Sequence, residues 1–207
     1  MAGALRAFQA GAKLSDVATV ADVCTDLWDF LNSIGTAHYF SMLGLINERE
    51  KVARMLAISV SEGNDDPVIH LGTGSPAGQG WMPFLSRPMK ELHADLEPGA
   101  RVSDLVGHMW ITTTYTAWET AFRGALEKSA GLEKDAVLWP PMGDLRCLRH
   151  DIVHHRGIGT PEWTGRCEVL GWAGAGQPIS IGPPHIEQFM ELTGSRIRRW
   201  KDGDFGP

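Results

Sequence analysis

Apolar residues recur every three or four positions along most of the chain, which is the spacing of amphipathic helices, and the exceptions mark where helices stop. Val17, Val20, Val23, Leu27 and Phe30 or Leu31 predict a first helix over 14–34, with Ser15 as N-cap and Asp16 in its first turn. Gly35 interrupts that pattern. A second helix is expected over 38–61, with Phe40, Leu43, Ile46, Val52, Met55 and Leu56 on its buried side. The charged run 47–51 reads as a solvated face or a break. From 62 to 99 the periodicity is lost among turn signals such as GNDDP, GTGSPAGQG and EPG, so this stretch reads as a loop-rich insertion. Within it, 68–71 has the residues of one short strand. The glycines of GTGSPAGQG lie outside any strand–helix context, so a flexible loop is expected there and a dinucleotide fingerprint is not.

Periodicity returns at Ser103 or Asp104, either of which can cap a helix running to about Ala130 with Val106, Trp110, Tyr115, Trp118, Phe122 and Leu126 on one side. Thr112, Thr113 and Thr114 lower its intrinsic propensity, so packing must hold it. Gly131 and Trp139-Pro140-Pro141 end it and turn the chain. A helix over 143–156 follows, then a β-hairpin pairing 168–172 with 178–181, then a last helix over 185–200. This order predicts a mainly α protein: a single-domain helical bundle over 1–207 with a long loop insertion and a small β-hairpin appendage.

The 143–156 helix is the unusual one. Arg146, Arg149, Arg156, His150, His154 and His155 crowd into eleven residues of a chain that has 19 Lys+Arg and 8 His in all. Leu145, Leu148 and Ile152 share one sector, a core stripe, while Arg146, His150 and His154 at i, i+4 and i+8 form a polar row beside it. Arg149 lies between the two rows, and Gly157 is a natural stop. Elsewhere the balance is acidic, with a net charge of −6, so a polyanion must be met locally, and this helix is the best place for it.

Two readings of the row need no further knowledge. Histidines at i, i+4 can share a metal ion, and His150, His154 and His155 would then serve a metal-dependent hydrolase. Against this, Asp151 falls on another side of the helix and no HExxH is present. The second reading is a solvated helix end, favoured by the helix dipole, which explains Arg156 better than Arg149 or His150.

Arg149-His150, three residues, then His154, in the setting LRHDIVHHRG, resembles the signature of the HEPN superfamily in its prokaryotic ribonuclease-like form. His150 stands where that family usually has Asn. The resemblance implies a metal-independent endoribonuclease without a cofactor, of the toxin–antitoxin or phage-defence kind. Arg149 would hold the phosphate, and His154 would act as base or acid, since imidazole titrates near neutrality. His150 would orient the site, and Arg146, Arg156 and His155 would supply further phosphate contacts. It also implies RNA as substrate, a homodimer that brings two motif helices together, and a cognate antitoxin protein as partner. An acid on the preceding helix, Glu119, is a catalytic candidate by the same resemblance. Its other reading is an i, i+4 partner of Arg123. A catalytically silent module that binds RNA, nucleotide or protein is the alternative within the family.

The remaining features narrow the setting. Trp81, Trp118 and Trp163 could stack on bases, although tryptophans in a bundle usually pack. His38, His70, His93, His108 and His185 have no partner pattern and are expected to be structural. Cys24, Cys147 and Cys167 are odd in number and widely spaced, so reduced thiols in a cytoplasm are expected, with Cys147 a small buried residue. No run approaches the ~18 apolar residues of a membrane span, and the first residues lack the apolar core of a signal peptide.

Overall fold

A computed structural model describes residues 18–73 and 82–206. The expected cap at Ser15, Trp81 and most of the GTGSPAGQG loop lie outside the described residues. Helix α1 spans Val20–Ser61 without a break. Thr19 caps it: the Thr19 hydroxyl accepts from the Asp22 backbone N–H, and the Asp22 carboxylate accepts from the Thr19 N–H at 2.9 Å. The expected division at Gly35 does not occur. A glycine inside a helix costs only about 1 kcal/mol. Here the helix continues because Leu31, His38 and Met42 are all buried on one side of it and Ile186 packs beside Gly35.

From Phe40 onward the expected buried side largely fails: Phe40, Leu43 and Ile46 are exposed, Met55 and Leu56 are half-buried, and of that expected set only Val52 is buried. The bundle partners of α1 cover only part of its length.

The insertion carries more structure than expected. Strand β1 (Val68–Thr73) pairs antiparallel with β2 (Met82–Pro88), in register Val68↔Pro88 through Leu71↔Leu85, with a bulge between Leu71 and Gly72. Helix α2 (Met89–Asp95) follows directly. Helix α3 (Arg101–Ala117) starts from Ala100, and Ser103, instead of capping it, donates its hydroxyl to the Ala100 carbonyl at 2.9 Å. It passes through a π-helical turn at Trp118–Phe122 into α4 (Arg123–Ala130), which Gly131 ends at φ 68°.

The motif helix α5 spans Pro140–His154. It begins three residues before the expected start because a proline needs no hydrogen-bond partner in the first turn. It ends where Arg156 and Gly157 both take left-handed φ, 57° and 75°. Helix α6 (Pro183–Lys201) closes the fold.

The hairpin expected over 168–181 is absent. The backbone N–H groups of Glu168, Val169 and Leu170, which a strand would offer to a partner strand, donate instead to the Asp144 carboxylate at 2.9, 2.8 and 2.7 Å. Ile179 donates to the Gly157 carbonyl, so the 178–181 segment lies against the turn after α5.

The core gathers the first half of α1 with α3 through α6. At its centre Trp118 stacks on Trp200 at 5.9 Å, with Trp139 edge-on to both. Trp118 is 3 % exposed, so it is a core residue and offers no face to a base. The protein is mainly helical with one small antiparallel sheet. No described helix is long and apolar enough to cross a membrane.

Candidate functional site on helix α5

Helix α5 packs against α3 and buries Leu145 and Leu148 in the core, and this leaves its basic row on the other side. Asp144 and Asp151, seven residues apart and therefore on one face, are also buried. They fasten the segment that returns over the helix. Asp151 accepts from the Thr160 N–H at 2.7 Å, the Thr160 hydroxyl at 2.9 Å, the Thr164 N–H at 3.2 Å and the Thr164 hydroxyl at 2.5 Å. Burial alone would raise its pKa, but these four donors together pull it below the ordinary carboxylate value. The sequence reading set Asp151 on a side away from the histidines. In the structure its Oδ1 lies 4.0 Å from both His150 Nδ1 and His155 Nε2.

The anchored loop carries Trp163 over the site. Its indole stacks on His150 with ring centroids 3.9 Å apart and planes 18° from parallel. Arg166 lies over the same indole at 5.8 Å. Trp163 is thus the base-stacking candidate that stands at the site, and its near face is already occupied by an imidazole. His154 is exposed one turn along, its ring 4.5 Å from that of His150. Desolvation first, then the neighbouring His154 imidazole, holds the His150 pKa below its ordinary value, with Asp151 opposing. His150 is therefore a neutral ring at neutral pH. Its Nδ1 is buried without a hydrogen-bond partner.

Arg149 leans the other way. Its guanidinium carbon lies 5.8 Å above the Tyr115 ring of α3, and its Nε is buried with no hydrogen-bond partner among the described residues. Arg146 is exposed and lines a shallow cavity of about 200 Å³ together with Tyr115, Glu119, Arg123 and Trp139. Among the described residues no carboxylate forms an ion pair with Arg146, Arg149 or Arg156. Glu119 sits in the π-helical turn and pairs with Arg123 at 3.4 Å, and Arg123 also reaches Glu127 and Asp135. Its link to the motif runs through Tyr115: burial, then the Glu119 charge, raises the tyrosine pKa, while Arg146 and Arg149 oppose the rise. The phenol stays protonated and remains a hydrogen-bond donor beside two guanidinium groups.

Arg156 and His155 are exposed at the helix end, close to the row without belonging to it. Of the histidines expected to be structural, His108 donates its Nε2–H to the Ile179 carbonyl at 2.7 Å and packs so close to Gly157 that a Cβ there would sit 2.5 Å from its ring. His185 Nδ1 accepts from the Gly182 N–H at the start of α6. Cys147 is half-buried, and burial raises its pKa, which suits a packing residue.

The structure therefore brings together His150, His154 and Trp163, while Arg149 leans toward Tyr115 on the α3 side, where Arg146 lines a cavity with the same tyrosine. It adds Asp151, Tyr115, Thr160 and Thr164, which sequence reasoning missed. The one available signal was the seven-residue spacing of Asp144 and Asp151 on the core face. Chemically, the arrangement offers guanidinium groups that have no ion-pair partner among the described residues, together with imidazole and phenol groups, and such groups can hold an anion. Searches of protein-family models, curated proteins and solved structures find no match for this chain.

Proposed function

We propose that the protein is a HEPN-type, metal-independent endoribonuclease, with the α5 row as its active surface. The observation that carries the reading is Arg149. It is a guanidinium with a buried, unpartnered Nε and no carboxylate counter-ion among the described residues, beside a neutral His150 and an exposed His154. A folding role for that charge would ordinarily come with an acid, so its missing partner is best supplied by a substrate phosphate.

In the proposed reaction the 2′-hydroxyl of RNA attacks the adjacent phosphorus. His154 takes the hydroxyl proton as the new P–O bond forms, and the bond to the 5′-oxygen breaks. A second imidazole returns a proton to that leaving oxygen, so the products are a 2′,3′-cyclic phosphate and a 5′-hydroxyl. Arg149 neutralises the charge that builds on the phosphoryl oxygens, and His150, clamped by Trp163, orients the site. Glu119, engaged by Arg123, acts only through Tyr115. Arg146, Arg156 and His155 extend the phosphate contacts along the strand. One chain supplies one His154, so the second imidazole comes from the same residue of a second copy, and the active form is a homodimer joined at the α5 faces. A toxin or phage-defence setting, with an antitoxin covering this surface, fits the resemblance.

The test incubates purified protein with total RNA in EDTA and identifies the ends produced. Cleavage that leaves cyclic phosphate, and a dimer by light scattering, are expected. RNA bound but left intact would make the protein a silent HEPN-type binding module.

A further inference from the structure

The two oxygens of Asp151 are used unequally. Oδ2 accepts from the Thr160 N–H, the Thr164 N–H and the Thr164 hydroxyl, whereas Oδ1 accepts from the Thr160 hydroxyl alone. Oδ1 keeps acceptor capacity, and it faces two imidazole nitrogens, His150 Nδ1 and His155 Nε2, each at 4.0 Å. That separation is too long for a hydrogen bond. His150 Nδ1 has no other partner and is buried, and the Trp163 stack keeps its ring from turning away. All three ligand atoms lie within 4.8 Å of one another.

A shared proton does not close gaps of this size, but a metal ion does. With metal–ligand bonds of about 2.1 Å, a tetrahedral site holds its ligand atoms roughly 3.4 Å apart. Reaching that spacing draws each imidazole about 0.6 Å toward Oδ1 and the two ring nitrogens together by up to about 1.4 Å, which a rotamer change of the exposed His155 can supply. The surroundings have the form of a metal site's outer layer: Thr160 and Thr164 fix the carboxylate from behind, as hydrogen bonds fix ligating carboxylates elsewhere. Two imidazoles and one carboxylate select zinc, cobalt or nickel over calcium or magnesium, which prefer oxygen alone.

We propose that Asp151 Oδ1, His150 Nδ1 and His155 Nε2 bind one divalent transition-metal ion of the zinc class, at the end of α5. This set differs from the all-histidine set that the sequence suggested, with the buried aspartate replacing His154. Three protein ligands leave a fourth position for water. The inference does not depend on ribonuclease activity, and no cleavage step passes through the ion.

The test is binding, measured without RNA. The full chain is stripped with EDTA, dialysed, and titrated with zinc by calorimetry and with cobalt(II) by visible absorption. Wild type should take up one equivalent at micromolar or tighter Kd, with cobalt bands typical of nitrogen and oxygen ligands. His155→Ala, which removes an exposed side chain and should leave the circular dichroism unchanged, should weaken binding at least about tenfold, and Thr164→Val should weaken it by a similar factor through the carboxylate. Absence of zinc binding at tens of micromolar would overturn the proposal. So would thiolate-to-cobalt charge-transfer absorption, or equal affinity in wild type and His155→Ala.

Discussion

Helix α5 carries polar groups on two faces, and they have opposite fates. On the inner face Asp144 receives three backbone N–H groups, and Asp151 receives two N–H groups and two hydroxyls. On the outer face Arg149 Nε and His150 Nδ1 have no hydrogen-bond partner, and Arg146 and His154 are open to solvent. Burying a charge is tolerable when hydrogen bonds replace its hydration, and the inner face meets that condition. The outer face does not meet it with protein groups. The inner carboxylates fasten the returning segment, and the outer arginines have no ion-pair partner among the described residues.

That division can be broken from either side. Asp151→Ala would strand four donors, the two on Thr164 buried and the two on Thr160 part-buried, and should cost about 3–5 kcal/mol of stability in urea unfolding, with Asp144→Ala somewhat less, at about 2–4 kcal/mol. A loss under about 1 kcal/mol for Asp151→Ala would mean that the loop over the site is held by other contacts. Arg149→Ala should do the reverse. RNA cleavage should fall by about a hundredfold or more, while stability moves by no more than about 1 kcal/mol. Trp163→Leu, which keeps an apolar side chain but removes the stack on His150, should lower kcat by roughly tenfold and leave KM nearly unchanged, since it positions a ring and does not hold the phosphate. Glu119→Gln should have the smallest effect, within about threefold in rate, because its carboxylate is already engaged by Arg123.

The same two faces explain what could be read from the sequence. The outer row was legible because helical spacing alone aligns Arg146, His150 and His154, and the LRHDIVHHRG setting marked Arg149 and His154. Helices α3 to α6 followed from apolar periodicity for the same reason. The inner face was not legible, since its meaning depends on Thr160, Thr164 and residues 168–170 returning to it, and nothing local announces that return. The β-prone stretch Glu168–Trp172 was misread as a strand because the competitor for its N–H groups, Asp144, lies 24 residues earlier. Gly35 was misread as a break because its local cost is visible in sequence and the packing of Ile186 against it is not. In the distal half of α1 the periodicity is present, but the described residues do not cover it, and Phe40 and Ile46 are exposed.

The most direct test of the account is a paired measurement on His154→Ala and wild type: cleavage of RNA in EDTA alongside unfolding in urea. The variant is expected to lose cleavage by about a thousandfold while keeping its stability within about 1 kcal/mol, because His154 is exposed and lies outside the buried core. A variant that cleaves RNA as wild type does would contradict it, and the outer face of α5 would then be a binding surface without catalysis.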